Sequence, residues 1–216
     1  MSALFRGCCR LIRSIARHFN TISHLLMVLP AIAGTIVLLI LADGDARKLV
    51  AFSIYGAMLI LLFTASSLHH GLSQRGNTRL WIKMDHISIY LMIAGSYTPF
   101  TLVTLQGSWG WSLFGVTWGL ALVGVLLDVL HRDGHRHPQL LLYLAMGWLA
   151  LIAIKPLTSL LPIPGLIWLA AGGLTYTLGV LFFIMDERWR WAHGVWHLFV
   201  IGGAVCHYIA ILLYIA

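Results

Sequence analysis

The stretch AHGVWHLFVIGGAVCHYIAILLYIA, residues 192–216, contains no Lys, Arg, Asp or Glu. It exceeds the roughly 20 residues that a helix needs to cross the hydrocarbon layer of a bilayer. Six more predominantly apolar runs precede it, at 24–42, 49–68, 87–105, 109–130, 139–154 and 163–185. A 216-residue chain with 60% hydrophobic residues, 10% charged residues and a mean hydropathy of +0.89 cannot hide so much apolar surface in one water-soluble core. Lipid is therefore part of its solvent, and backbone groups in lipid must satisfy one another, which makes each run helical. The expectation is an all-α bundle of seven transmembrane helices in a single integral membrane domain, 1–216, with an interfacial segment at 1–20 and the spans within 21–216. The weakest runs are the fifth, which is short and ends at Lys155 and Pro156, and the fourth, which carries Asp128 near its end.

The basic residues predict the orientation. Arg6, Arg10, Arg13 and Arg17 precede the first span; Arg75, Arg79 and Lys83 follow the second; Arg132 and Arg136 follow the fourth; Arg188 and Arg190 follow the sixth. Together these are eleven of the fourteen Lys and Arg, and the opposite face receives only Arg47, Lys48 and Lys155. The positive-inside rule then places the N-terminus in the cytoplasm and the C-terminus outside, in a cell (inner) membrane. The four N-terminal arginines share a helical stripe opposite Leu4, Cys8, Leu11, Ile12, Ile15 and Phe19, the pattern of a short amphipathic helix lying on anionic lipid. A signal peptide is not expected, since the apolar run is long and Leu41-Ala42-Asp43-Gly44 offers no small-residue cleavage site. The net charge of +7 thus reflects membrane topology, and no nucleic-acid partner is expected. With Cys8 and Cys9 on the reducing side and Cys206 within the seventh run, no disulfide framework is expected.

Against this apolar background a few polar groups stand out. His70 closes the second run, Asp85 opens the third, and His193 and His197 open the seventh, so the topology brings all four to the cytoplasmic ends. His193 and His197, four residues apart, share one helix face, and Ser66 and His70 repeat that spacing. Each signal alone has an ordinary reading: a hydrogen-bonded histidine pair, an aspartate capping a helix, a serine bonded to its own backbone. Together, three imidazoles with one carboxylate suit Zn2+, since imidazole favours zinc and three protein nitrogens leave a fourth position for water. Zinc brings the pKa of such a water toward neutrality. Asp85 is then the candidate to orient that water or take its proton, and Ser66 to hydrogen-bond the water or a substrate oxygen.

The stretch Ser66-Ser67-Leu68-His69-His70, then Met84-Asp85-His86 leading into Ile93-Ala94-Gly95-Ser96-Tyr97-Thr98-Pro99-Phe100, then His193-Gly194-Val195-Trp196-His197-Leu198-Phe199-Val200, resembles the bacterial hemolysin III family, the prokaryotic branch of the progestin and adipoQ receptors. Asn20-Thr21-Ile22-Ser23-His24 and Gly173-Leu174-Thr175-Tyr176 are similar to that family too, so the resemblance runs over nearly the whole chain. It implies zinc near the cytoplasmic helix ends, with His70, His193 and His197 as metal ligands, Asp85 near the metal and usually acting through a water, and Ser66 one turn before the first ligand. It further implies kinship with alkaline ceramidases among proposed membrane-embedded hydrolases, and a role in membrane lipid and energy homeostasis. Two positions depart from the pattern. Ala16 and Arg17 stand where many relatives carry an acid, and His69 adds an imidazole beside the expected ligand. Adjacent helical residues point about 100° apart, so His69 and His70 cannot easily share one metal. The Ser-x3-His spacing selects His70, with His69 as the fallback.

The other histidines have plainer expectations. His24 and His207 lie within apolar runs and are expected to bond backbone or neighbouring side chains, with His24 on the metal side; His86 is expected to point away from Asp85. The connection from His131 to Pro138 reads as a solvated turn. Trp81, Trp109, Trp111, Trp189 and Trp191 fit interfacial belts. Three functions follow, in order: a zinc hydrolase of a membrane-lipid amide or ester; a non-enzymatic lipid or small-molecule sensor in which zinc ties helices together; and a pore-forming cytolysin or transporter, disfavoured because the fourth to sixth runs hold almost no ionisable groups.

Overall fold

The computed structural model describes the backbone of residues 3–72, 78–130 and 136–216, and their side chains except those of 3–14, 17, 136 and 137. The expectations for Arg6, Arg10, Arg13, Arg17, Cys8 and Cys9, and most of those for the connection from His131 to Pro138, fall outside these limits. All regular structure among the described residues is helical: α1 Ala3–Leu41, α2 Ala46–Leu72, α3 Thr78–Pro99, α4 Gly107–Leu130, α5 Arg136–Gly147, α6 Ile154–Leu160, α7 Ile163–Met185 and α8 Ala192–Tyr214. Among the described residues six helices, the third of them running on through Leu105, are long and apolar enough to cross a membrane, and the bent pair α5–α6 brings the number to seven if it forms one span. The N-terminal segment and the first span are one continuous helix, α1. Leu26, Leu29, Ile40, Leu130 and Ile163 are each more than two-thirds exposed, as lipid-facing positions are.

Neighbours in sequence pack as neighbours in space, α1 on α2, α2 on α3, α3 on α4 and α7 on α8, while α8 also meets α1. Glycines permit the closest approaches. A Cβ at Gly56 would fall inside the Thr35 side chain, and one at Gly172 inside the His207 imidazole. The core between the helices is apolar, with Phe52, Tyr55, Phe63, Leu38 and Ile211 fully buried. Asp45 caps α2, its Oδ1 accepting the N–H groups of Arg47 at 2.8 Å and Lys48 at 3.0 Å. Those bonds, the one from Lys48 first, hold the Asp45 carboxyl below its ordinary value.

Two spans depart from a plain α-helix. Pro99 has no N–H to give and α3 continues as a π-helical segment, Phe100–Leu105, before Gln106 and Gly107, both at positive φ, start α4. The run expected at 139–154 is longer and broken: a 3-10 turn, Leu149–Leu151, separates α5 from α6, which bend by 53°. Pro156 explains the break, since it cannot donate to the carbonyl of Ile152 and its ring crowds that group. The Tyr97 hydroxyl from α3 reaches into the gap, donating to Gly147 O at 2.7 Å and accepting the Ala150 N–H at 3.0 Å. Backbone groups that the break would orphan are thereby satisfied.

Candidate metal centre

The site lies where the end of α2, the start of α3, the start of α8 and the middle of α1 meet. His69 and His70 occupy the last turn of α2, Asp85 the second turn of α3, and His193 and His197 successive turns of α8. Gly194 allows this convergence, because a side chain there would press on Phe19 and Asn20 of α1. His70, His193 and His197 form a near-equilateral triangle, with every pair of ring centroids 4.9 Å apart. One nitrogen from each lies within 4.8 Å of the others, and His193 Nε2 is 3.1 Å from His70 Nε2. Two ligands at 2.0–2.1 Å on a tetrahedral zinc stand about 3.3 Å apart, so the donor set and its spacing fit a metal ion.

Asp85 belongs to a second group of the same kind, with His69 and His70. Its carboxylate accepts a hydrogen bond from the Ser66 hydroxyl, which is buried one turn before His70. Since a hydroxyl has one proton, Ser66 orients Asp85 and is left with only lone pairs for a substrate or water. His70 packs against His193 and His197, whereas His69 lies on the wall of a cavity that Asp85 also lines. That cavity, about 370 Å³, is lined by His193 and His197 and faced mainly by apolar groups such as Leu62, Ile89, Phe100, Leu144 and Val180. Its size suits a ligand with an apolar chain.

The remaining histidines divide. His24 is buried and stacks on His197 at 3.8 Å with an interplanar angle of 15°. His207 donates Nε2–H to Leu169 O at 3.3 Å, the backbone partner anticipated for it. His86, expected to point away from Asp85, lines the same cavity, and its carbonyl accepts the Tyr143 hydroxyl at 3.1 Å. Asp128 is buried and accepts a bond from Gln139 of α5, so a carboxylate that weakened the fourth run as a span is held by a neighbouring helix.

Two contacts come from residues outside the expected set. Asp186 Oδ2, between α7 and α8, lies 3.1 Å from His193 Nδ1, and Ser23 Oγ lies 3.2 Å from His197 Nδ1. Ser23 sits inside the Asn20–His24 motif, but helix spacing gave it no partner; Asp186 sits in a connection, where periodicity is silent. Cys206 is a free thiol.

Comparison with known proteins agrees with this architecture. The family described as Haemolysin-III related matches residues 15–208. "Hemolysin-3" of Bacillus cereus is 38% identical over 198 residues, 91% of this chain and 90% of that protein. "Hemolysin-3 homolog" of Bacillus subtilis (strain 168) is 36% identical over 197 residues, covering 90% and 92% of the two chains. "Monocyte to macrophage differentiation factor" of Homo sapiens is 33% identical over 201 residues, 91% of this chain and 83% of its own.

Proposed function

The chain belongs to the haemolysin III family, and from that premise we propose that this multi-pass membrane protein holds a zinc ion on His70, His193 and His197 and hydrolyses an amide or ester of a membrane lipid. The observation that carries the reading is the histidine triangle beside an apolar cavity that His193, His197 and the Asp85 carboxylate line. Zinc bound there supplies a Lewis acid that acidifies a water and polarises a carbonyl. The chain's own groups do the rest. The cavity takes the acyl chain out of the bilayer and excludes bulk water from the bond to be cut. Asp85, oriented by Ser66, accepts a proton from the attacking water as its oxygen bonds to the carbonyl carbon. The same carboxyl returns that proton to the amine or alcohol as the C–N or C–O bond breaks. In this reading the chain is one domain with its N-terminus and the site on the cytoplasmic side of the inner membrane, and it serves membrane lipid and energy homeostasis.

One observation favours a second reading. Asp85 forms a second donor group with His69 and His70, all within 4.8 Å of one another, and a zinc held by that carboxylate as well as by imidazoles would be structural, in a lipid sensor. Elemental analysis of the detergent-purified protein, beside His70→Ala, His193→Ala and His197→Ala, is the first test. About one zinc per chain, lost in each variant, supports the ligand set. Hydrolysis of a short-chain fluorescent ceramide by the wild type then favours the enzyme; full zinc with no turnover on lipid amides and esters favours the sensor. A folded, zinc-free wild type overturns both.

A further inference from the structure

We infer that Asp186 and Ser23 are positioning residues that lock His193 and His197 in the tautomer protonated on Nδ1, so that both rings present a bare Nε2 to the centre of the triangle. The inference rests on the metal-binding reading and names which residues set its affinity. Asp186 Oδ2 is 3.1 Å from His193 Nδ1, and a carboxylate oxygen can only accept, so Nδ1 carries the proton. For His197 the same conclusion follows from counting protons. Ser23 Oγ lies 3.1 Å from the Asn20 carbonyl and 3.2 Å from His197 Nδ1. The carbonyl accepts the only hydroxyl proton, so Ser23 must accept from Nδ1–H.

Both supports are held firmly. The turn that carries Asp186 is closed by Arg188 N–H to Met185 O at 3.0 Å, Trp189 N–H to Met185 O at 2.9 Å and Ala192 N–H to Trp189 O at 3.0 Å. Ser23 rides on α1, where the next residue, His24, stacks on the face of His197. His197 is thus fixed by an edge bond and a face contact from the same turn of helix. Neutral imidazole otherwise divides between two tautomers, and a ligand already in the right one loses less on binding. The carboxylate has a further effect, since it raises the basicity of the ring it accepts from.

The test measures zinc affinity of the full-length protein by chelator competition, together with 15N imidazole NMR of zinc-stripped protein. Asp186→Ala should weaken zinc binding by about tenfold to a hundredfold, the range for loss of such partners. Asp186→Asn, whose amide oxygen still accepts from Nδ1–H but lacks the charge, should fall between Asp186→Ala and wild type. Ser23→Ala should weaken binding, and Ser23→Thr, which keeps the hydroxyl, should restore it. In the spectra His193 and His197 should be protonated on Nδ1 in the wild type, and His193 should become a tautomer mixture in Asp186→Ala. If Asp186→Ala fails to fold, the Asn variant and the Ser23 pair carry the test.

Zinc affinities within about twofold of wild type in Asp186→Asn, Asp186→Ala and Ser23→Ala would overturn the inference. So would wild-type spectra with Nδ1 bare. A merely structural Asp186 would change thermal stability while leaving affinity and tautomer in place. A wild type that binds no zinc, yet shows both rings protonated on Nδ1, would sink the metal reading and leave the lock standing.

Discussion

Truncating His197 to alanine should make the protein's stability indifferent to zinc. The ring is 1% exposed, stacks on His24 and bonds Ser23, so its removal leaves a void among packed groups. Loss of a buried ring costs about 2–4 kcal/mol in packing alone. A second loss comes from linkage: a ligand that binds only the folded state at a hundred times its Kd contributes about 2.7 kcal/mol. At roughly 2–4 °C per kcal/mol for a chain of this length, stripping zinc from the wild type should lower Tm by about 5–10 °C. His197→Ala should start lower and then show almost no further fall when a chelator is added. The nine tryptophans provide the signal for scanning fluorimetry in detergent, with and without chelator. An equal chelator-induced drop in both proteins would refute the reasoning, because the metal would then be held without His197. The comparison separates packing from ligation, since the packing loss is present with and without chelator and cancels.

Three other outcomes follow from the geometry. Asp85→Ala should retain most of its zinc by elemental analysis while losing lipid hydrolysis; undiminished turnover would remove Asp85 as the base. Gly172→Ala should push the His207 ring off its seat, break the bond to Leu169 O and cost about 1–3 kcal/mol, read as a lower unfolding midpoint with zinc content unchanged. Asp45→Ala should fray the start of α2 at neutral pH. Because the folded-state pKa of Asp45 lies below its unfolded value of 3.8, the cap's contribution is present above that value and disappears as pH falls through the folded one. The stability gap between Asp45→Ala and wild type should therefore be largest at neutral pH and begin to shrink as pH falls below about 4, and a gap that does not shrink with further acidification would contradict the cap.

The runs at 49–68, 109–130, 163–185 and 192–216 read well because a helix in lipid is selected above all by its hydrophobic length, and the helices found there differ from them mainly at their ends. What apolar length could not convey was local geometry. Pro99 and Pro156 sit inside apolar stretches, and composition does not say whether a proline ends a helix, widens it to a π-turn or splits it. The meeting of His70, His193 and His197 was legible because charge bias put the two helix ends that carry them on one side and an i, i+4 spacing put two rings on one face. Asp186 was not, since a residue seven positions before His193 returns to it only through a turn whose path no periodicity encodes. Ser23 lay in plain view, but its partner is 174 residues away in sequence.

The Tyr97 hydroxyl that closes the gap between α5 and α6 also constrains the order of assembly. A polytopic chain is often pictured as inserting independently stable helices that later associate. If the bent pair α5–α6 forms one span, it cannot wait alone in lipid, because at its break a carbonyl and an amide find their partner on another helix. Such a span should dock on α3 as it enters the bilayer, which couples its biogenesis to its neighbour from the start, and Tyr97→Phe should show first as a defect in membrane integration.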